Sequence, residues 1–363
     1  MKIARVASIV AVLGLFPGCG QEPAASTPAP AAAAPKVQAP PPAPAPVFVN
    51  HEGRTLPPTP AITKPTLFNT PEADAVLSSL QTFPKDNPWN EDISARPVHP
   101  DSDRIIDTIG RSLRFRWNHD MSFILVPPNQ PRVPIEIEYK NESDPGPFPV
   151  PPEAPLEGWP LQGGPLEKAQ REGGGDRHVI VLDPTAMTLY ELFYTFRKDS
   201  GWKAGSTAVF DLRSNKLRPD GWTSADAAGL PIFPAVVRYD EVARGMVEHA
   251  LRVTFRKTRR AYVYPGTHYA SSLKDPYLPR MGERFRLKKT FDISPFPPHI
   301  QAILKALKKY GMITADNGIE WAVSIAPDSR IQGLETLDHK AVKGNDFEVV
   351  VPTGPDEGPR AQR

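Results

Sequence analysis

The chain has 363 residues, with 43 lysines and arginines against 41 acidic side chains and a formal net charge of +2. Its 45 prolines are more than twice the roughly 5% share of average proteins. The near-neutral balance gives no electrostatic case for nucleic acid or an anionic membrane surface. The one cysteine excludes an internal disulfide and any cysteine-built zinc or iron–sulfur centre.

Lys2 and Arg5 precede an apolar run, Ile9 to Phe16, too short to span a bilayer. The run ends in Phe16-Pro17-Gly18-Cys19 and resembles a bacterial lipoprotein signal. That resemblance implies lipidation at Cys19, which becomes the mature N-terminus. An ordinary secretory signal with an incidental cysteine is the alternative. Gly20, where Gram-negative sorting reads Asp as a retention signal, implies the outer membrane. Residues 20–67 read as a disordered linker, almost wholly Ala and Pro up to Pro46. Such a segment cannot bury apolar area and extends at roughly 3.1 Å per residue.

A single folded domain is expected over 68–352, followed by a disordered tail at 353–363. Residues 68–175 read as an irregular Pro-rich wrap, with strands at Ser122–Val126 and Val133–Tyr139 and a surface-wrapping stretch from Asp144 to Pro165. The main sheet is expected over 176–352. His178–Leu182 and Thr188–Phe196 flank Asp183-Pro184-Thr185 and predict a hairpin. Further strands are predicted at Ala208–Leu212, His249–Phe255, Ala261–Tyr264 and Arg284–Lys288. The alternation of Leu251, Val253 and Phe255 with Ala250, Arg252 and Thr254 predicts a half-buried strand turning at Lys257–Arg260. Asn317-Gly318, between Met312–Ala315 and Glu320–Ile325, predicts a tight hairpin. Pro298 and Gly311 bracket an amphipathic helix over His299–Tyr310, and shorter helices are expected at Ser224–Ala228 and Tyr239–Gly245. The pattern is mainly β: an antiparallel β-sandwich or jelly-roll-like domain with long loops and one or two helices, with α+β as the alternative.

Several segments carry a family likeness: Asp176–Asp183, Leu189–Leu192, Val209–Asn215, Leu217–Pro219, Gly221–Pro231, Arg238–Val242 and Ala315–Gly318, with Asn87–Asn90 and Asn141–Pro147 upstream. Through them, residues 83–352 resemble an uncharacterised family of secreted bacterial proteins, extracellular and often joined to wall- or glycan-associated modules. The resemblance implies export and the domain limits and assigns no catalytic residue.

No P-loop, dinucleotide glycine motif, HExxH or GxSxG is present, which argues against nucleotide chemistry, zinc proteolysis and an ordinary lipase. The densest polar stretch runs from Asp211 to Glu241. Glycoside hydrolysis commonly needs two carboxyl groups, and Asp211 with Asp226 or Glu241 are the candidate catalytic pair. Arg218 and Arg238 are candidate substrate-binding cations, and Trp222 and Trp202 candidate platforms for a sugar ring. The alternative is that Asp226 and Asp240 cap short helices and pair with these arginines. A polysaccharide lyase would instead draw on Arg177, Tyr264 and the candidate catalytic histidines His178, His249 and His268. In that reading His178 and His249 begin adjacent strands. His99, Asp101 and Asp103, or Asp316 and Asn317, give only weak metal-ligand patterns with local turn explanations, so neither a metal nor a cofactor is expected. The expectation is a monomeric, lipid-anchored cell-envelope protein whose partner is a polysaccharide or envelope glycan. A hydrolase or lyase leads, with a non-catalytic glycan-binding or structural module as the alternative.

Overall fold

The computed structural model describes residues 48–339, 342–358 and Arg360. Cys19, and residues 20–47 of the expected 20–67 linker, lie outside the described residues.

In chain order the first elements are β1 (Phe48–Val49), β2 (Thr55–Leu56), β3 (Thr66–Leu67), α1 (Pro71–Leu77) and α2 (Ser102–Ile109). Then come β4 (Arg116–His119), β5 (Phe123–Leu125), β6 (Ile135–Ile137), α3 (Leu166–Arg171), β7 (Val179–Asp183) and β8 (Thr188–Phe193). β9 (Phe196–Lys198), β10 (Gly201–Ala204), β11 (Ser206–Asp211), α4 (Tyr239–Arg244) and β12 (Leu251–Phe255) follow. The last are β13 (Arg284–Leu287), α5 (Pro298–Lys309), β14 (Met312–Asn317), β15 (Ala322–Ile325), α6 (Glu335–His339) and β16 (Phe347–Val349).

The fold is mainly β, as the sequence predicts. A five-stranded sheet runs β11-β8-β7-β5-β3 and a six-stranded sheet β16-β13-β14-β12-β15-β4. A small sheet, β6-β10-β9, and the β1-β2 ribbon complete it. Antiparallel pairs predominate, but β5 with β7, β12 with β14, β15 with β4 and β6 with β10 are parallel.

The five-stranded sheet is buried on both faces. Ile180 and Leu182 of β7 enter the main core, while Val179 and Val181 join a second core with Phe148, Val150, Tyr190 and Trp202. This explains the unbroken apolar text of β7, since each such side chain contributes about 1.5–3 kcal/mol when fully buried. The Pro-rich stretch from residue 144 is therefore a covering layer over the second core: Phe148, Ala154 and Leu156 are buried in it.

The 183–185 turn forms as predicted, with Asp183 Oδ1 accepting from the Thr185 and Ala186 amides. The α5 helix also forms, and Gly311 ends it at φ +68°, where a Cβ would fall 2.1 Å from the Phe285 carbonyl oxygen.

Several expectations are corrected. β14 and β15 do not pair with each other, because β12 lies between them. The Gly318 amide instead bonds to the Phe255 carbonyl at the end of β12. β12 is buried on both faces, since a second layer covers Arg252 and Thr254. Residues 261–264 make only an isolated bridge, Tyr262 to Met281, so no hairpin turns at 257–260. Residues 224–228 form turns and bends in place of a helix. The structured chain also exceeds the expected limits. Arg54, within the supposed linker, pairs with Glu248 at 2.9 Å, and Ile62 is buried. In the supposed tail, Thr353 and Arg360 are buried.

A buried carboxylate pair at the base of an open cleft

Strand alternation sends Leu251, Val253 and Phe255 of β12 one way and Arg252 the other. Arg252 therefore projects toward the five-stranded sheet, into a group of ionisable side chains between the two sheets. Its Nε donates to Asp226 Oδ2 at 2.8 Å, its Nη2 donates to Asp226 Oδ1, and its Nη1 donates to Ser324 Oγ at 2.6 Å. Ser324 passes a hydrogen bond to Asp120 Oδ2 at 3.1 Å. From the other sheet come His178, bonded through Nδ1 to Glu157 (2.9 Å) and through Nε2 to the Ala225 carbonyl (2.9 Å), and Glu191. Glu191 accepts from the Ile232 and Phe233 amides.

Burial governs the protonation of this group. It pushes Asp120 and Glu191 each to about 7, against the charge of Arg252 in the first case and two backbone donors in the second. It pushes Asp316 to about 8, helped by the charge of Asp226 and only partly opposed by Arg252. Burial works against a charged His178, but the hydrogen bond and charge of Glu157 outweigh it and raise the imidazole to about 10. Burial likewise opposes the charge of Arg252, and Asp226 overrides it. Three acids raised well above the ordinary carboxylate range thus sit among two ion pairs, which limits the unbalanced charge in the interior.

Asp316 is the member that reaches solvent. It is the penultimate residue of β14, is half-buried, accepts from the Asn317 amide, and shares a hydrogen bond with Asp226. Both carboxyl groups line a cleft of about 390 Å³, together with Tyr139, Glu142, Asp176, Phe193, Ser206 and Thr223. The loop carrying Asp226 is held in shape by Ser224 Oγ, which donates to the Leu230 carbonyl at 2.6 Å, and by the Ala228 amide bonding to Ala315. Gly229 is required there: at φ +73° a Cβ would lie 2.0 Å from Thr267 Oγ1.

A second cleft, of about 650 Å³, is lined by Asp144, Asp211, Lys216, Arg218 and Trp222. Buried Arg218 rivets the wall between the clefts. It pairs with Asp144 and donates to the Glu142 and Thr223 carbonyls, with Trp222 at 5.4 Å from its guanidinium carbon.

The predicted site residues separate into several places. Asp211 is exposed and bonded to Arg213 in the second cleft, so it forms no pair with Asp226. Glu241 is elsewhere again, tied to Arg238 at 2.7 Å and His249 at 3.1 Å. Burial would raise its pKa, but Arg238 and His249 hold it down to about 2. These groups border a cavity of about 30 Å³, room for a water and not for a sugar. Arg238 and Arg244 also hold Asp240, so the Asp211–Glu241 stretch is not one continuous polar wall.

The lyase set is likewise dispersed. His178 and His249 belong to different sheets and different partners. Arg177 is consumed by the carbonyls of Thr195, Glu172, Ala169 and Gln170 and by the Phe196 ring. Tyr264 lies 5.0 Å from the Arg360 guanidinium carbon, and His268 bonds to the Ala227 carbonyl. Trp202 is buried in the second core and offers no platform. Among the described residues, no cluster of three or more His, Cys, Asp or Glu side chains is placed to hold a metal.

Sequence reasoning missed Arg252, Asp120, Glu157, Glu191 and Asp316 as a group. The available signal was a charged residue inside an apolar strand, which reads equally well as a solvent-facing position.

No family model matches the chain, and no curated protein or solved structure does either. No helix among the described residues is long and apolar enough to cross a membrane.

Proposed function

We propose that this chain is an exported, Cys19-lipidated envelope protein that hydrolyses a glycan bound across the two clefts. The observation that carries the reading is the placement of Asp316 beside ion-paired Asp226 at the base of an open cleft, where burial and the charge of Asp226 raise its carboxyl to about 8. A general acid for glycosidic cleavage must hold its proton at working pH and release it to the leaving oxygen, which a raised pKa permits. Glu142 is a further carboxyl group of the cleft, suited to act on water or on the sugar. Tyr139, 54% exposed, and Phe193 offer ring surface to a pyranose, with Trp222 in the adjoining cleft. Lyase chemistry is disfavoured, because the cleft with Asp316 is lined by acids and by no Lys, Arg or His to neutralise a uronate.

Incubation of the purified chain with a panel of polysaccharides should release reducing ends, and Asp316→Asn should lower the rate by about 10²-fold or more. Unsaturated products would replace hydrolysis by elimination. Binding without any product would leave a glycan-binding module. That second reading is favoured by Asp226, both of whose oxygens are already engaged by Arg252.

A further inference from the structure

We propose that the rings of Tyr262, His268 and Tyr269 form a second glycan-binding platform that continues the cleft of Asp226 and Asp316. The proposal rests on the glycan reading above and extends it to a binding surface outside the two clefts. His268 and Tyr269 are parallel to within 3° at 5.8 Å between centroids, and Tyr262 and Tyr269 to within 22° at 6.2 Å. The three near-parallel rings form a stair whose residues are all half-buried, with the Arg260 guanidinium carbon 5.6 Å from the Tyr269 ring centroid.

The stair is fixed before any ligand arrives. Tyr262 donates to Asp220 Oδ1 at 2.5 Å, Arg260 Nε donates to the Tyr269 hydroxyl at 3.2 Å, and His268 Nδ1 lies 2.8 Å from the Ala227 carbonyl. Rings held this way lose little freedom on binding. The same contacts join the stair to the clefts. Ala227 lines the Asp316 cleft, and Thr267 Oγ1 donates to the carbonyl of Trp222, which lines the other.

The chemistry favours a sugar. A pyranose presents an apolar C–H face to a ring and hydroxyls at its rim, where the Asp220 carboxylate and Arg260 guanidinium can accept and donate. Single-stranded nucleic acid also stacks on aromatic rings, but it needs a cationic track. Here Asp220 sits directly on the Tyr262 hydroxyl, and Arg260, the cation against the rings, is already engaged by the Tyr269 hydroxyl and ring. His268 thereby acquires a binding role in place of the proton-transfer role its loop position suggested.

The test uses the full chain, the di- and hexasaccharides of β-1,4-linked N-acetylglucosamine, glucose and xylose, and a thymidine oligonucleotide, with binding read by calorimetry. Tyr262→Ala/Tyr269→Ala should weaken hexasaccharide binding by about tenfold or more and leave disaccharide binding unchanged. Tyr269→Phe, which keeps the ring and loses only the hydroxyl bonded to Arg260, should retain most of the affinity that the alanine variant loses, and an unchanged melting temperature certifies the folding of each variant. If the double variant misfolds, His268→Ala carries the same comparison. Weakened hexasaccharide binding with no hydrolysis by the parent would support the platform while removing the hydrolase reading. Hydrolysis with unaltered hexasaccharide affinity would overturn the platform alone. Failure to bind any of the sugars, or ring-dependent binding of the oligonucleotide instead, would overturn it as well.

Discussion

Arg252 grips Asp226 with two hydrogen bonds, one of them Nε to Oδ2 at 2.8 Å, across 26 residues of sequence and with both side chains buried. The pair clamps the 222–231 loop to the six-stranded sheet and so fixes the base of the cleft. A buried pair gains little over an apolar replacement, but losing one partner strands the other charge at a cost of about 3–5 kcal/mol. Arg252→Met and Asp226→Leu should each destabilise by that amount in urea unfolding. The double variant should be more stable than the worse single one. Costs that simply add would show that the two side chains do not stabilise each other.

Asp316 should make the protein less stable as pH rises. Its carboxyl is raised from an ordinary 3.8 to about 8 in the fold. Between those values the unfolded chain has released the proton and the folded chain retains it, so stability falls by up to about 1.4 kcal/mol per pH unit. Asp316→Asn keeps a hydrogen-bond donor toward Asp226 and has no proton to lose. The variant should match the parent in stability near pH 4 and exceed it by pH 8. Parallel pH–stability curves for the two proteins would refute the assignment.

How much of this was legible in the sequence follows from what a linear pattern encodes. β7, β8, β11 and α5 could be read because their apolar periodicity and turn residues are local. The Asn317-Gly318 hairpin failed because that dipeptide permits a tight turn without dictating which strand lies alongside; β12 intervenes between β14 and β15. Arg252 failed for the complementary reason: alternation places it opposite Val253 but says nothing of the second layer that covers it. Asp226 was found for its polar surroundings, whereas Asp316, 90 residues later, became its partner only through the parallel pairing of β12 with β14. The dispersal of Arg177, His249 and Tyr264 is equally a tertiary fact.

His178 and Glu157 give the opposite pH signature. The imidazole is raised from 6.5 to about 10, because the hydrogen bond and charge of Glu157 outweigh burial. Its contribution is complete below pH 6.5 and is lost as pH rises toward 10. Glu157→Gln removes the compensating charge and should destabilise by a few kcal/mol at pH 6, through the buried imidazole left behind. The difference from the parent should shrink steadily from pH 6.5 to 10 in thermal unfolding. A constant difference across that range would mean that the pair is not charged in the fold.

Arg360 lies in the segment expected to be disordered. Its Nη2 donates to Glu91 Oε2 at 3.0 Å, and its other nitrogens reach the carbonyls of Gly354 and Asp86. Glu91 is 3% exposed and also faces Arg284 at 3.7 Å, while Thr353 donates to its Oε1 at 2.7 Å. Burial, opposed by Glu91 and reinforced by Arg360, lowers Arg284 to about 10. Two buried guanidinium groups thus share one buried carboxylate. Arg360→Ala should therefore cost less than Glu91→Gln, because Arg284 still neutralises Glu91 in the first case and two cations lose their counter-charge in the second. We expect about 1–2 kcal/mol for Arg360→Ala and about 3–5 kcal/mol for Glu91→Gln by urea unfolding. A reversed order would mean that Glu91 is not the counter-charge the two arginines share.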